Sequence, residues 1–331
     1  MDKIKYGVIG VGALGRHHAR WAGQISLFDF QGIYDIDNAC MEEVSREIGC
    51  RTFVSSDELI KNCDAVSIAA TTSYHYDIAL KVIAQNKHLL IEKPITATIE
   101  QADEIIKYAE EAGVKLMVGH IERFNPAVEK LSDFDIRPSF IEAHRLAKFN
   151  PRGADVAVVL DLMIHDIDLS LYFIKSPIKE ISASAVKIVS DSEDIANARL
   201  IFENGAVANL TASRISLNAM RKLRIFQTSG YFSLDLAEKQ VDVYRLVDRS
   251  SSPSGDSMIP LGDSGKNIGY RQLGDKQVDM LEAELISFGE SIINDAPVAI
   301  SGREGRDALA VALDVIAKSR IAADRLKANE R

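Results

Sequence analysis

Three glycines, Gly10, Gly12 and Gly15, stand at G-x-G-x-x-G spacing directly after the short apolar run Ile4 to Ile9 and before a helix-patterned stretch, Ala13 to Trp21. A strand that turns this tightly into a helix restricts the chain to few architectures. The turn needs backbone without Cβ atoms, and it presents helix N-terminal amides at the carboxyl end of a strand. The pattern downstream agrees. Strand candidates recur at Phe30 to Tyr34, Arg51 to Val54, Ala65 to Ala70, Lys87 to Ile91 and Val114 to Val118, with helix candidates such as Asn38 to Ile48 between them. The clearest helix is Ile99 to Ala112, where Thr98 and Gln101 have capping-box spacing and Gly113 is a stop. Repeated alternation of this kind predicts a doubly wound parallel sheet covered on both faces.

After about Glu122 the pattern changes. Asn125-Pro126 reads as an N-cap and first-turn proline, and from Ser139 onward most segments alternate like strands with one exposed face. These are Ser139 to Ala147, Ile178 to Val189, Ile195 to Phe202, Ala206 to Ser213, Leu223 to Thr228, Tyr231 to Leu236 and Val241 to Val247, interrupted by a helical stretch from Val158 to Phe173. The expected fold is α/β: an N-terminal Rossmann domain over residues 1–122, then an α+β substrate and oligomerisation domain over 123–331 with a largely antiparallel open sheet. Ser250 to Asp275, rich in Ser, Gly and Asp, is expected to be a mobile loop. Helices over Gln277 to Asn294 and Arg303 to Leu326 should close the chain, the last packing back on the N-terminal domain. An open sheet face must meet solvent or another subunit, which points to a homodimer or homotetramer.

At 331 residues, the chain suits two domains, and a net charge of -9 argues against a nucleic-acid surface, which needs clustered Lys and Arg. No apolar signal region precedes the first strand, and no stretch approaches a membrane span, so a cytoplasmic location is expected. Cys40, Cys50 and Cys63 have neither disulfide nor zinc spacing.

The glycine turn, with the adjoining Ala13 and Leu14, is the first candidate site. Asp35 ends the second strand twenty residues after Gly15, where a carboxylate accepts hydrogen bonds from a ribose diol and repels a 2'-phosphate. That favours NAD over NADP; FAD is the rival cofactor. Thr71-Thr72-Ser73-Tyr74-His75 follows another strand, with Thr71 and His75 placed where a cofactor should pass and Thr72 or Ser73 expected to cap a helix by its hydroxyl. Lys93 ends the strand Leu89-Leu90-Ile91 between Glu92 and Pro94, which biases it to extended backbone. Its bland alternative is a solvated surface lysine. Glu92 can pair with Lys93 or reach a ribose. Asp161 and His165 are four apart, so they share a helix face, and the carboxylate can orient an imidazole that accepts a proton. The alternative there is a cap or buried polar pair. Asp166 and Asp168 project from another face, and no metal is expected.

Together these residues resemble the glucose-fructose oxidoreductase and inositol dehydrogenase family, Gfo/Idh/MocA. The resemblance covers the glycine turn, Glu92-Lys93-Pro94, Gly119-His120, Asp161-x-x-x-His165 and Gly302-Arg303-Glu304-Gly305-Arg306, nearly the whole chain. It implies an NAD-dependent dehydrogenase of a secondary hydroxyl in which Lys93 is the main acid-base group and contacts the nicotinamide ribose. His165, supported by Asp161, is the second acid-base group. The segments Gly119 to Ala127 and Leu160 to Asp168 are most similar to those of members that oxidise the 3-hydroxyl of UDP-N-acetylglucosamine to a 3-keto sugar, on routes to 2,3-diamino sugars of lipid A or surface polysaccharide. Arg123 and Asn125 are candidate substrate contacts, with a carboxylate partner and a helix cap as their respective structural alternatives. Oxidation of a free sugar, inositol or other cyclic polyol is a second reading, and a non-catalytic NAD-binding sensor a third. Chemistry alone nominates His165 first, since its ordinary pKa lies nearer neutrality than that of lysine.

Overall fold

The computed structural model describes residues 3–150, 156–250 and 255–329. The chain divides into two compact units, Met1–Ile121 with Asp279–Leu309, and Glu122–Val278 with Ala310–Arg331.

The first unit holds five parallel strands, β1 (Ile4–Ile9), β2 (Phe28–Tyr34), β3 (Ala65–Ile68), β4 (His88–Glu92) and β5 (Leu116–Gly119), in the order β2-β1-β3-β4-β5. The expected strand at Arg51 to Val54 is instead a single bridge, Ile33 to Thr52. Helices α1 (Gly15–Ala22), α2 (Asn38–Ile48), α3 (Ser56–Lys61), α4 (His75–Ala84) and α5 (Ile99–Ala112) connect the strands. Strands buried on both faces need apolar residues throughout, and Leu89, Leu90 and Ile91 are fully buried. The α5 boundaries follow the sequence signals: Thr98 accepts the Gln101 amide at 3.3 Å, and Gly113 closes the helix in the left-handed region at φ 66°. No hydroxyl caps α4; Thr72–Tyr74 forms a short 3-10 turn that runs straight into it.

Helix α8 (Met280–Ile293) and the start of α9 (Gly302–Asn329) belong to this unit. The Phe288 ring meets Tyr6 edge-on at 6.4 Å, and the Ile300 carbonyl accepts the Val118 amide at 3.1 Å.

The chain enters its second unit through α6 (Pro126–Glu129), and this unit's helix α7 (Ile164–Ile174) is preceded by a π-turn, Val159–Met163, rather than continuing one α-helix from Val158. Among the described residues its sheet has nine strands: β6 (Phe140–Leu146), β7 (Ile178–Val186), β8 (Ile195–Phe202), β9 (Val207–Ser213), β10 (Met220–Gln227), β11 (Gly230–Asp235), β12 (Gln240–Asp248), β13 (Ser257–Pro260) and β14 (Lys266–Gly274). Their order is β13-β14-β12-β11-β10-β6-β9-β8-β7, antiparallel except for the β6/β9 pair. The expected mobile loop at Ser250 to Asp275 is therefore corrected over its described part: it supplies two strands, with residues 251–254 outside the described residues. Strand β14 pairs with β12 along its whole length, Tyr270 stacks near Tyr244 at 5.1 Å, and buried Asp256 binds Arg245 at 2.6 Å and Arg271 at 2.9 Å. Polar contacts hold these strands, so the apolar alternation that announces a strand is missing.

One half of the sheet's two-faced character is plain in β6, where Ile141, Ala143 and Arg145 are buried while Phe140, Glu142 and His144 on the alternate face are only half-buried.

Gly10 sits at φ +83°, and a Cβ there would lie 2.4 Å from the Ala70 backbone nitrogen. The three nearest atoms, from Ala69 and Ala70, are all backbone, so none yields cheaply. Gly10→Ala is expected to destabilise the protein by about 3 kcal/mol in denaturant unfolding; a change below about 0.5 kcal/mol would mean that the turn relaxes freely.

Candidate active site

In a parallel sheet, the crevice opens where neighbouring connections leave in opposite directions, here between β1 and β3. The register levels their carboxyl ends, with Ile9 opposite both Tyr34 and Ile68. A cavity of about 940 Å3 lies there, lined among others by Gly10, Gly12, Ala13, Asp35 and Thr71. Its size suits a cofactor.

The glycines divide the work. A Cβ on Gly15 would lie 1.8 Å from the Gly10 carbonyl oxygen, so helix α1 can start this close to the turn only with glycine. A Cβ on Gly12 would meet nothing within 4 Å, leaving open backbone where a pyrophosphate can approach. Leu14 precedes α1 without any side-chain cap, so no side chain competes for the helix's first amides. Asp35 lines the cavity while accepting the Val11 amide at 2.6 Å and the Asp37 amide at 2.9 Å. A carboxylate has about four acceptor sites, so two such bonds orient it and leave capacity for a ribose diol. These residues fit NAD, which supplies a hydride acceptor when bound.

His75, expected beside the cofactor, is fully enclosed. Its Nδ1 lies 3.0 Å from the Pro94 carbonyl and its Nε2 2.9 Å from the Ala70 carbonyl. Burial holds its pKa below the ordinary 6.5, with the two carbonyls pulling the other way. The ring, expected beside the cofactor, thus sits between the Ala70 end of the cleft and the turn after Lys93, and the neutral ring donates to one of the two carbonyls. Glu92 is likewise turned inward. Its Oε1 meets His18 Nε2 at 2.8 Å and its Oε2 accepts the Lys93 backbone amide at 3.2 Å. Lys93 is half-buried, at the start of a cis Lys93–Pro94 bond.

In the second unit, Asp161 lies in the π-turn and His165 in the first turn of α7, both half-buried. π-turns concentrate at functional sites. Two arginines fasten this helix. Arg145 from β6 binds Asp166 through two nitrogens at 3.1 and 2.8 Å and Glu122 at 2.7 Å, all three side chains being buried. Burial alone would lower the Arg145 pKa, but the Asp166 and Glu122 carboxylates outweigh it and keep the guanidinium charged. Arg123 binds Asp168 at 2.8 and 2.7 Å and stacks on Tyr172 at 4.2 Å. Asn125 is fully buried; its Oδ1 accepts the Ala127 amide and its Nδ2 donates to Glu122 and to the Leu236 carbonyl. Arg123, expected at the substrate, holds a carboxylate here, and Asn125 caps a helix.

The sequence profile of the Gfo/Idh/MocA oxidoreductase family, NAD-binding Rossmann fold, matches residues 4–120, and the profile of the Gfo/Idh/MocA C-terminal domain matches residues 136–233. The chain belongs to the Gfo/Idh/MocA family. It is 37% identical to UDP-N-acetylglucosamine 3-dehydrogenase of Acidithiobacillus ferrooxidans, over 95% of this chain and 97% of that one. The crystal structure of that Acidithiobacillus enzyme superposes with a TM-score of 0.86 at 36% identity, over 96% of this chain and 98% of the other. A myo-inositol 2-dehydrogenase of Thermotoga maritima is 25% identical over 92% of this chain and 93% of its own length. The chain is an NAD-dependent oxidoreductase, and these relatives are named dehydrogenases.

Two residues of this family member escaped sequence reasoning. His18 and Glu284 have no spacing that relates them to Glu92, being far from it in sequence. Glu284, on α8, is fully buried, and neither carboxyl oxygen has a hydrogen-bond partner among the described residues. Burial first, and the Glu92 carboxylate second, raise its pKa well above the ordinary 4.5, so it folds in protonated. An unfolded chain releases that proton above about 4.5, and the folded chain keeps it. Folding then takes up a proton, and the stability contribution falls as pH rises. Glu284→Gln removes this penalty: its Tm relative to the parent is expected to climb as pH rises above about 4.5. A Tm difference that stays flat would show an ionised Glu284 in the folded state.

Proposed function

We propose that this enzyme oxidises the 3-hydroxyl of UDP-N-acetylglucosamine to the 3-keto sugar nucleotide. The observation that carries this reading is full-length similarity, at 37% identity, to a dehydrogenase of that substrate. NAD, when bound, would supply the acceptor for the carbinol hydride, and the hydroxyl O–H must give up its proton. Lys93, at the carboxyl end of β4 in the cofactor-binding unit, is the group assigned that proton, entering the reaction as the neutral amine. His165, with Asp161 one turn before it, is assigned the second acid-base role. A ketone invites amination, so an amine-transferring reaction would consume the product, as expected of a route to diamino sugars. A cytoplasmic location goes with this reading.

Lys93→Met should lower kcat by at least about a hundredfold while the thermal shift produced by NAD survives. Near-normal turnover in that variant would end the assignment. Substrate is tested on the parent enzyme with UDP-N-acetylglucosamine, free hexoses and inositols: a strong dependence on the nucleotide is expected, whereas better turnover of an inositol would replace this substrate with a cyclic polyol.

We also infer a homodimer or homotetramer through the sheet's open face. Phe140, Phe226, Tyr231, Tyr244 and Tyr270 form a half-buried aromatic row across five strands, with successive ring centroids 5.6, 4.7, 5.2 and 5.1 Å apart. Aromatics of this kind are enriched at subunit contacts. Light scattering should give a multiple of the 36.4 kDa chain mass, and Tyr244→Glu should lower it; a monomeric parent would refute the inference.

A further inference from the structure

Helix α1 carries two adjacent histidines with opposite surroundings. His17 is exposed and His18 is fully buried. His18 Nε2 lies 2.8 Å from Glu92 Oε1, and its Nδ1 lies 3.0 Å from Ser67 Oγ, which in turn is 2.6 Å from the Tyr6 hydroxyl. An ionised carboxylate only accepts, so Nε2 donates to Glu92. In the neutral ring Nδ1 then accepts from Ser67, whose oxygen accepts from Tyr6. Every hydrogen bond in the row points the same way, toward Glu92. The second Glu92 oxygen accepts the Lys93 backbone amide at 3.2 Å. Behind the carboxylate stands Gly119, so close that a Cβ there would approach it to 3.0 Å.

The row ends on Tyr6, which has no exposed surface, so it leads into the core and offers no route for a proton to solvent. Its effect is geometric. Glu92 is held from one side by His18 and backed by Gly119, and its remaining oxygen holds the backbone of the next residue.

We propose that His18 is a positioning residue for Lys93, acting through Glu92. The proposal rests on the assignment of Lys93 as the proton acceptor. Without the imidazole, Glu92 is left buried with one partner fewer, a costly state that it relieves by rotating or by taking up a proton. Either response loosens its hold on the Lys93 amide. A displacement of about 1 Å in an acid-base group is enough to slow a reaction about a hundredfold.

The test compares His18→Phe, which removes both ring nitrogens, with His18→Gln, whose longer amide restores a donor toward Glu92. With UDP-N-acetylglucosamine and NAD, His18→Phe should lose about tenfold to about a hundredfold in kcat, with KM for the sugar nucleotide and Kd for NAD within about twofold. His18→Gln should recover most of the loss. In the Lys93→Met background His18→Phe should cost no further activity, because both act on one step. Should His18→Phe not fold, His18→Asn takes its place, its amide being too short to reach Glu92. An unchanged kcat in the variant lacking the donor would overturn the proposal, as would a loss shared equally by kcat, KM and Kd and not recovered by glutamine. Lys93→Met alone separates the two assignments. If it retains turnover, the reading of Lys93 fails and this proposal with it; if it is inactive while the His18 variants are normal, only the proposal on His18 fails.

Discussion

A Cβ on Gly15 would fall 1.8 Å from the carbonyl oxygen of Gly10, a contact that no side chain tolerates. The first turn of the cofactor-binding unit therefore closes only on glycine, and much of that unit's chemistry follows from the closure. It sets α1 hard against the end of β1, and it keeps the open backbone at Gly12 facing the cavity. The same closure turns the inner face of α1 toward the sheet, which buries His18 beside Glu92. One steric constraint thus governs both the cleft and a contact beneath the end of β4.

The two units handle buried charge differently. In the second, each buried carboxylate near the Asp161 and His165 segment meets a guanidinium: Glu122 and Asp166 share Arg145, and Asp168 holds Arg123. Bidentate pairs fix direction as well as charge, so α7 is held in both rotation and height. Removing one partner from such a set typically costs about 3–5 kcal/mol, because an uncompensated charge stays behind. In the first unit no arginine serves Glu92. Its carboxylate relies on an imidazole and a backbone amide, and its neighbour Glu284 avoids the problem by keeping its proton. The arginine sets fix their carboxylates through paired hydrogen bonds, whereas Glu92 is held by single bonds.

Local signals in the chain carried far. The glycine spacing, the Thr98 to Gln101 box, the Gly113 stop and the Asn125-Pro126 helix start all act within a few residues, and each has the predicted backbone role. The switch from alternating strand and helix to alternating strand residues separates the two sheets in the same way. Where the reading went astray, the stabilising partner was distant or polar. Strand β14 is held by pairing with β12 and by Asp256, neither visible in a segment rich in Ser, Gly and Asp. The site expectations at His75, Arg123 and Asn125 rest on chemistry their side chains are able to perform, and the structure adds a partner within the fold for each. Each is engaged by a carbonyl, a carboxylate or a helix amide within the fold.

Residue order by itself thus determined the family, the parallel and antiparallel character of the sheets and the glycine turn of an NAD-binding fold, and it nominated Lys93, Asp161 and His165 for the roles proposed above. These rest on periodicity and spacing, which are properties of neighbours along the chain. Only the tertiary structure decided which polar groups face the cleft and which are engaged inside. His18 and Glu92 are 74 residues apart, and nothing between them in the sequence encodes their 2.8 Å contact. Strand register and the close start of α1 bring them together, and burial then gives two ordinary side chains a strong mutual preference.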